Sequence, residues 1–183
     1  TPLTEPAVVR VDLGAGGAVV NSVALRAPRN LAVDPAYWSS PEPIEFPTGD
    51  GQTAHALYYP PTNPGCAGPE GDKPPLLVMI HGGPESQDRP NFSPVYQYLV
   101  HRGYAVLAPN VRGSTGYGEA HHRAIDYGGY EVDDVMSAVD YLKTLSHVDP
   151  ERLGIMHRRR GPHQHPAHPG RGRRHRDGRG TAP

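Results

Sequence analysis

Apolar positions along the chain follow two different patterns. Up to Tyr59 they come as short runs of β type: Val8 to Leu13, Val19 to Leu25, Ile44 to Phe46 and Thr53 to Tyr59. Gly14, Ala15, Gly16 and Gly17 separate the first pair and Asp50-Gly51 the second, so each pair reads as a hairpin. A hairpin by itself is too small to be a domain. Residues 28 to 43 are irregular and punctuated by proline, and residues 60 to 75 form a Pro/Gly-rich loop.

From Leu76 the pattern becomes strand, helix, strand, helix, strand. Leu76 to Ile80 is a continuous apolar run between Pro74-Pro75 and His81-Gly82-Gly83-Pro84, which predicts a strand buried on both faces. Phe92, Val95, Tyr96, Leu99 and Val100 share one helical face, and Gly103 stops that helix. Tyr104 to Ala108 reads as the next strand, ended by Pro109. Beyond a glycine-rich stretch from Arg112 to Gly118, Val132, Val135, Met136, Val139, Leu142 and Leu145 form a second amphipathic face. Glu131, Asp133 and Asp134 stand near its positive end, where carboxylates stabilise the helix dipole. Asp149-Pro150 turns the chain, and Arg152 to Met156 opens a third strand. Alternating strands and helices predict an α/β fold with a mostly parallel sheet covered on both faces.

Charge sharpens the boundaries. Residues 157 to 183 hold eight Arg, five His and a single Asp, whereas 18 acidic side chains face 10 basic ones before them. The only apolar side chains of this tail are Ala167 and Ala182, so it is expected to be disordered. Cys66 is the only cysteine, which excludes an intrachain disulfide and a cysteine-based metal framework. His163, His165 and His168 lie in a Gly/Pro-rich context without the fixed geometry of a metal site, and neither a metal nor a cofactor is expected. No apolar run is long enough to span a membrane. These features suggest the cytoplasm, although a chain that begins with Thr leaves a lost leader open.

Four segments carry a resemblance, in this order: PPLLVMIHGGP (Pro74 to Pro84), RGYAVLAPNVRGSTGYG (Arg102 to Gly118), GGYEVDDV (Gly128 to Val135) and VDPERLGIM (Val148 to Met156). Together they resemble prolyl oligopeptidase-type serine peptidases, in particular the dipeptidyl-peptidase and acylaminoacyl-peptidase branches. The resemblance implies the N-terminal half of an α/β-hydrolase domain over residues 31 to 156. It also implies a peptide substrate and a preceding β-propeller, of whose last blade residues 1 to 30 look like a remnant. The other reading of that first hairpin, as part of the hydrolase domain itself, stays open.

Acyl transfer creates an oxyanion that needs N–H donors aimed at it, and glycines after a strand let the backbone come close to a substrate. In the family the second glycine of the HGG motif, here Gly83, supplies one such N–H. The plainer reading of Gly82 and Gly83 is a tight turn beside a space-filling His81. Ser114 lies in a glycine-rich loop that the family places beside the active site, and it is not the expected nucleophile.

That nucleophile belongs on a GxSxG turn directly after the strand ending Gly154-Ile155-Met156. The five positions read His157, Arg158, Arg159, Arg160, Gly161, so Arg159 stands where the serine belongs, and no serine follows Ser146. The Asp and His that follow the nucleophile in this fold are missing as well, and the chain is expected to be inactive. Arg, His, Gly and Pro share GC-rich codons, so the tail reads as an out-of-frame translation. Shifting residues 161 to 171 by one base permits an apolar helix, yet the same shift cannot place a serine at position 159.

Alternatives remain. The parent is a peptidase or a carboxylesterase of the same fold; the chain itself is a damaged record, an inactive interaction module, or a non-specific nucleic-acid binder through its tail. Without interleaved aromatics the tail would bind nucleic acid only non-specifically, and nucleic acid is not the expected partner. A sheet ending at its third or fourth strand exposes an unpaired edge, and aggregation or partial folding is expected.

Overall fold

The computed structural model describes residues 1–83, 85–126, 128–144 and 148–157. Among these, strands β1 (Val8–Leu13) and β2 (Val19–Arg26) pair antiparallel as a two-stranded ribbon turned at Ala15–Gly17. Eight of its apolar side chains, from Val8 to Leu25, stand exposed, and residues 1–30 contribute nothing to either hydrophobic core.

The main sheet has five strands: β3 (Glu42–Pro47), β4 (Thr53–Tyr59), β5 (Leu76–Ile80), β6 (Ala105–Asn110) and β7 (Leu153–His157). Their spatial order is β3-β4-β6-β5-β7. β5, β6 and β7 run parallel, but β3 with β4 and β4 with β6 pair antiparallel, so the sheet is mixed and not mostly parallel. The expectation followed the strand-helix alternation, which governs only the second half; the Asp50-Gly51 hairpin puts β4 against β6 in the opposite sense and β3 antiparallel to β4 in turn.

Helix α1 (Pro94–His101) links β5 to β6, and α3 (Tyr130–Thr144) links β6 to β7, with a short α2 (Glu119–Arg123) between. The chain steps from β5 to β6 in one direction, then crosses back over β5 to reach β7. Crossovers of one hand taken in opposite directions put their helices on opposite faces. Accordingly α1 packs on Leu57, Tyr59, Met79 and Val106, and α3 on Ala56, Tyr58, Leu76, Val78 and Leu107. Leu145, expected on the face of α3, lies outside the described residues, as does everything beyond His157.

Local chemistry explains the element ends. Ser93 caps α1 through its hydroxyl oxygen, which accepts from the Tyr96 N–H, and Pro94 occupies the first turn. At the other end Gly103, at φ +88°, and Tyr104 donate to Val100 and Leu99 carbonyls and close the helix in a Schellman arrangement. The expected face of α1 is partly corrected: Val95 is exposed, and Gln97 is buried in its place. Its amide accepts from the Ser39 N–H at 2.9 Å and donates to the Ser39 carbonyl at 2.8 Å, which makes a polar side chain tolerable there. β6 runs through Pro109 to Asn110 and does not stop at Ala108, because beyond Leu107 only β4 still pairs with it.

Candidate active site

In a sheet of this kind, ligands bind beyond the C-terminal strand ends where successive connections leave toward opposite faces. Here that place is the crevice between β5, whose loop leads to α1, and β6, whose loop leads toward α3. Two of the segments singled out from the sequence, His81 to Gly83 and Arg112 to Ser114, meet there. His81 and Ser114 are both buried, and His81 Nε2 lies 3.0 Å from Ser114 Oγ.

Gly83 is exposed at φ +76°, a left-handed conformation that favours glycine, and no atom lies within 4 Å of where a Cβ would be. Its N–H has no acceptor among the described residues. A cleft of about 510 Å³ opens beside it, lined by Ile80, His81, Gly83 and Arg112 on one side and by Met136, Ile155 and His157 on the other. The C-terminal ends of β5 and β7 therefore share one cleft. Arg159, expected at the nucleophile position two residues past the end of β7, lies outside the described residues.

The loop after β5 is stitched to the loop after β6. Asn110 is fully buried; its side chain accepts from the Asp88 N–H at 2.8 Å and donates to the Asp88 carbonyl at 3.0 Å and the Tyr117 hydroxyl at 2.7 Å. The Thr115 N–H donates to the Ser86 carbonyl, and the Tyr96 hydroxyl donates to the Asp88 carboxylate. A buried amide that meets a neighbouring backbone at two points fixes the path of that backbone.

Beneath the second loop sits an ion cluster. The Asp134 carboxylate, with no exposed surface, accepts from the Arg112 N–H at 2.6 Å and from two guanidinium nitrogens at 2.9 and 2.7 Å. Arg112 Nη1 reaches Asp50 at 2.5 Å, and the Tyr130 ring lies 4.1 Å from the guanidinium carbon. The Thr48 hydroxyl, and after it Arg112, hold the Asp50 carboxyl down at about 2. Asp134 thus corrects its sequence reading: it is half of a buried ion pair and not a solvated partner of the helix dipole. Asp133 keeps that reading, exposed in the first turn of α3. Nothing in the spacing of Arg112 and Asp134 announced the pair, whereas Asn110, a polar residue closing an apolar strand run, was a visible hint.

Three comparisons bear on this geometry. The sequence profile of the prolyl oligopeptidase family matches residues 90–157. Over these residues the chain is similar to the prolyl oligopeptidase family. Proteins similar to the chain include the uncharacterized peptidase YuxL of Bacillus subtilis, 41% identical over 121 residues, covering 64% of this chain and 18% of that protein. Dipeptidyl aminopeptidase BIII of Pseudoxanthomonas mexicana is 32% identical over 118 residues, covering 62% of this chain and 17% of that protein.

Among solved structures, a puromycin hydrolase superposes with a TM-score of 0.78 at 33% identity, covering 86% of this chain and 23% of that one. An acylaminoacyl peptidase of Pyrococcus horikoshii gives 0.57 at 28% identity, covering 65% and 19%. The chain therefore spans less than a quarter of each of these relatives. Among the described residues, no helix is long and apolar enough to cross a membrane.

Proposed function

We propose that this chain carries the oxyanion-side part of a serine-peptidase centre that acts on short peptides, with Gly83 offering its N–H to the carbonyl oxygen of a scissile amide. The observation that carries the reading is the place of Gly83: beyond the C-terminal end of β5, its N–H without an acceptor among the described residues, beside the cleft it shares with the end of β7. An oxyanion hole needs donors already oriented before charge develops, and the stitching of the 85–91 and 112–118 loops provides that rigidity.

The second half of the reading concerns chemistry withheld. Acyl transfer in this fold needs a nucleophile on the turn after β7, and that position holds Arg159 in a 183-residue polypeptide with no serine after Ser146. A lone N–H donor polarises a carbonyl but forms no acyl intermediate, so the polypeptide by itself does not turn over peptides. The organisation follows: 31–156 as the peptidase-domain portion, 157–183 as a basic tail, and 1–30 as a separate ribbon. For the ribbon the support is its absence from both hydrophobic cores.

The test is hydrolysis of aminoacyl and dipeptidyl amide reporters and of a simple ester by homogeneous protein. No turnover above buffer is expected; turnover that tracks the protein through two orthogonal purification steps would overturn the inactive reading.

A further inference from the structure

We propose that the segment from Val111 to Arg123, which closes over the strand ends at the site, is a pH-sensitive latch whose trigger is the His55, Tyr117 and His121 ring cluster. This device is independent of the peptidase reading.

The geometry is a three-ring stack joining β4 to that segment. The His55 ring lies flat on Tyr117, centroids 4.0 Å apart at 11°, and meets the edge of His121 at 5.4 Å; Tyr117 and His121 are 5.2 Å apart. His121 Nε2 lies 3.1 Å from the Val111 carbonyl and His122 Nδ1 lies 3.2 Å from the Gly113 carbonyl. A carbonyl oxygen only accepts, so each of these nitrogens carries a proton, and the two rings fold the start and end of the segment together. The Gly113 N–H donates back to the His121 carbonyl at 2.8 Å. Within this closed loop lies Ser114, the partner of His81 next to Gly83.

The stack suits neutral imidazoles. Two imidazolium ions at this separation, partly withdrawn from water, repel each other. Burial, the largest influence, lowers the affinity of both rings for a second proton; for His121 the hydrogen bond to the Val111 carbonyl opposes this, the neighbouring His55 adds to it, and the net direction is down. Charges on the surrounding elements oppose this only in part. Glu45 on β3, 3.6 Å from His55 Nδ1, is largely exposed. Asp134 on α3 favours a charged His121, but its carboxylate is already engaged by Arg112, which also holds Asp50.

The sign follows from linkage. Both histidines titrate lower in the folded segment than the ordinary value of 6.5. Latch stability is therefore complete above that value and is lost as the pH falls below it. Acidification thus opens the segment, whereas neutral pH keeps it closed.

Hydrogen exchange of the full chain at about pH 7.5 and about pH 5.5, corrected for the intrinsic pH dependence, tests this. Exchange in 111–123 should rise several-fold on acidification relative to β4 and β6. His55→Phe, which keeps a ring on Tyr117, together with His121→Gln, which keeps a donor for the Val111 carbonyl, should abolish the rise. An unchanged rise in the double variant, or none in the parent, overturns the latch. If the double variant is not protected like the parent at the higher pH, the imidazole proton shifts of the parent decide. Titration of both His55 and His121 below 6.5, with the parent's exchange in 111–123 rising over the same pH range, upholds the latch, and titration of either at or above 6.5 overturns it.

Discussion

Removing the Asp134 carboxylate is the most searching perturbation of this fold. In Asp134→Ala the Arg112 guanidinium, 6% exposed, loses every hydrogen bond that its Nε and Nη2 make to this carboxylate, and the Arg112 N–H loses its acceptor. Breaking one side of a buried ion pair costs about 3–5 kcal/mol, because the remaining charge stays buried without compensation. Asp50 still holds Arg112 from the half-exposed side, which places the expected cost near the lower bound, about 3 kcal/mol. Domains have only about 5–15 kcal/mol to lose, so this is a large fraction of the total. Asp133→Ala, one residue away and exposed, should cost no more than about 1 kcal/mol through the helix dipole. Replacing both partners, Arg112→Met with Asp134→Leu, should recover most of the loss, since apolar substitutes of similar size avoid burying a lone charge. Urea unfolding followed by the single tryptophan, Trp38, or by circular dichroism reads all four proteins. Asp134→Ala and Asp133→Ala unfolding within about 0.5 kcal/mol of each other would refute the reasoning.

Two further outcomes are expected. Gly83→Ala should cost about 1 kcal/mol from its left-handed backbone alone, since its Cβ meets open space, whereas Gly113→Ala should cost clearly more because its Cβ falls 2.8 Å from the Ile125 side chain; thermal melts of the two variants give the order. Ile155→Lys, on the edge strand β7 where Ile155 and Met156 stand 62% and 51% exposed, should raise the monomer fraction in sedimentation velocity without lowering helix content, as charged edge residues discourage strand-to-strand association.

How far the sequence spoke can be argued element by element. The apolar run Leu76 to Ile80 and the helical spacing of Val132, Val135, Met136, Val139 and Leu142 led to β5 and α3, although of that face only Val135, Val139 and Leu142 are buried and Val132 and Met136 stand exposed. The antiparallel half of the sheet was visible only as a hairpin; that β4 would pair with β6 is a tertiary fact with no local trace. At the site, Gly83 was singled out only through the resemblance carried by His81-Gly82-Gly83-Pro84, because a glycine pair after a strand reads by itself as a tight turn. Arg112 with Asp134, and His55 with Tyr117 and His121, were not. Residues 22 and 62 positions apart leave no periodic mark, and a charge or an imidazole at such a place is ordinarily solvated.

The measurement closest to the central claim is reaction of the homogeneous 183-residue polypeptide with a fluorophosphonate, which labels only serines activated as nucleophiles. The account predicts no adduct by intact mass, Ser114 included, since that hydroxyl is fully buried against His81 and no serine follows β7. A stoichiometric adduct on any one serine, accompanied by reporter hydrolysis, would contradict it.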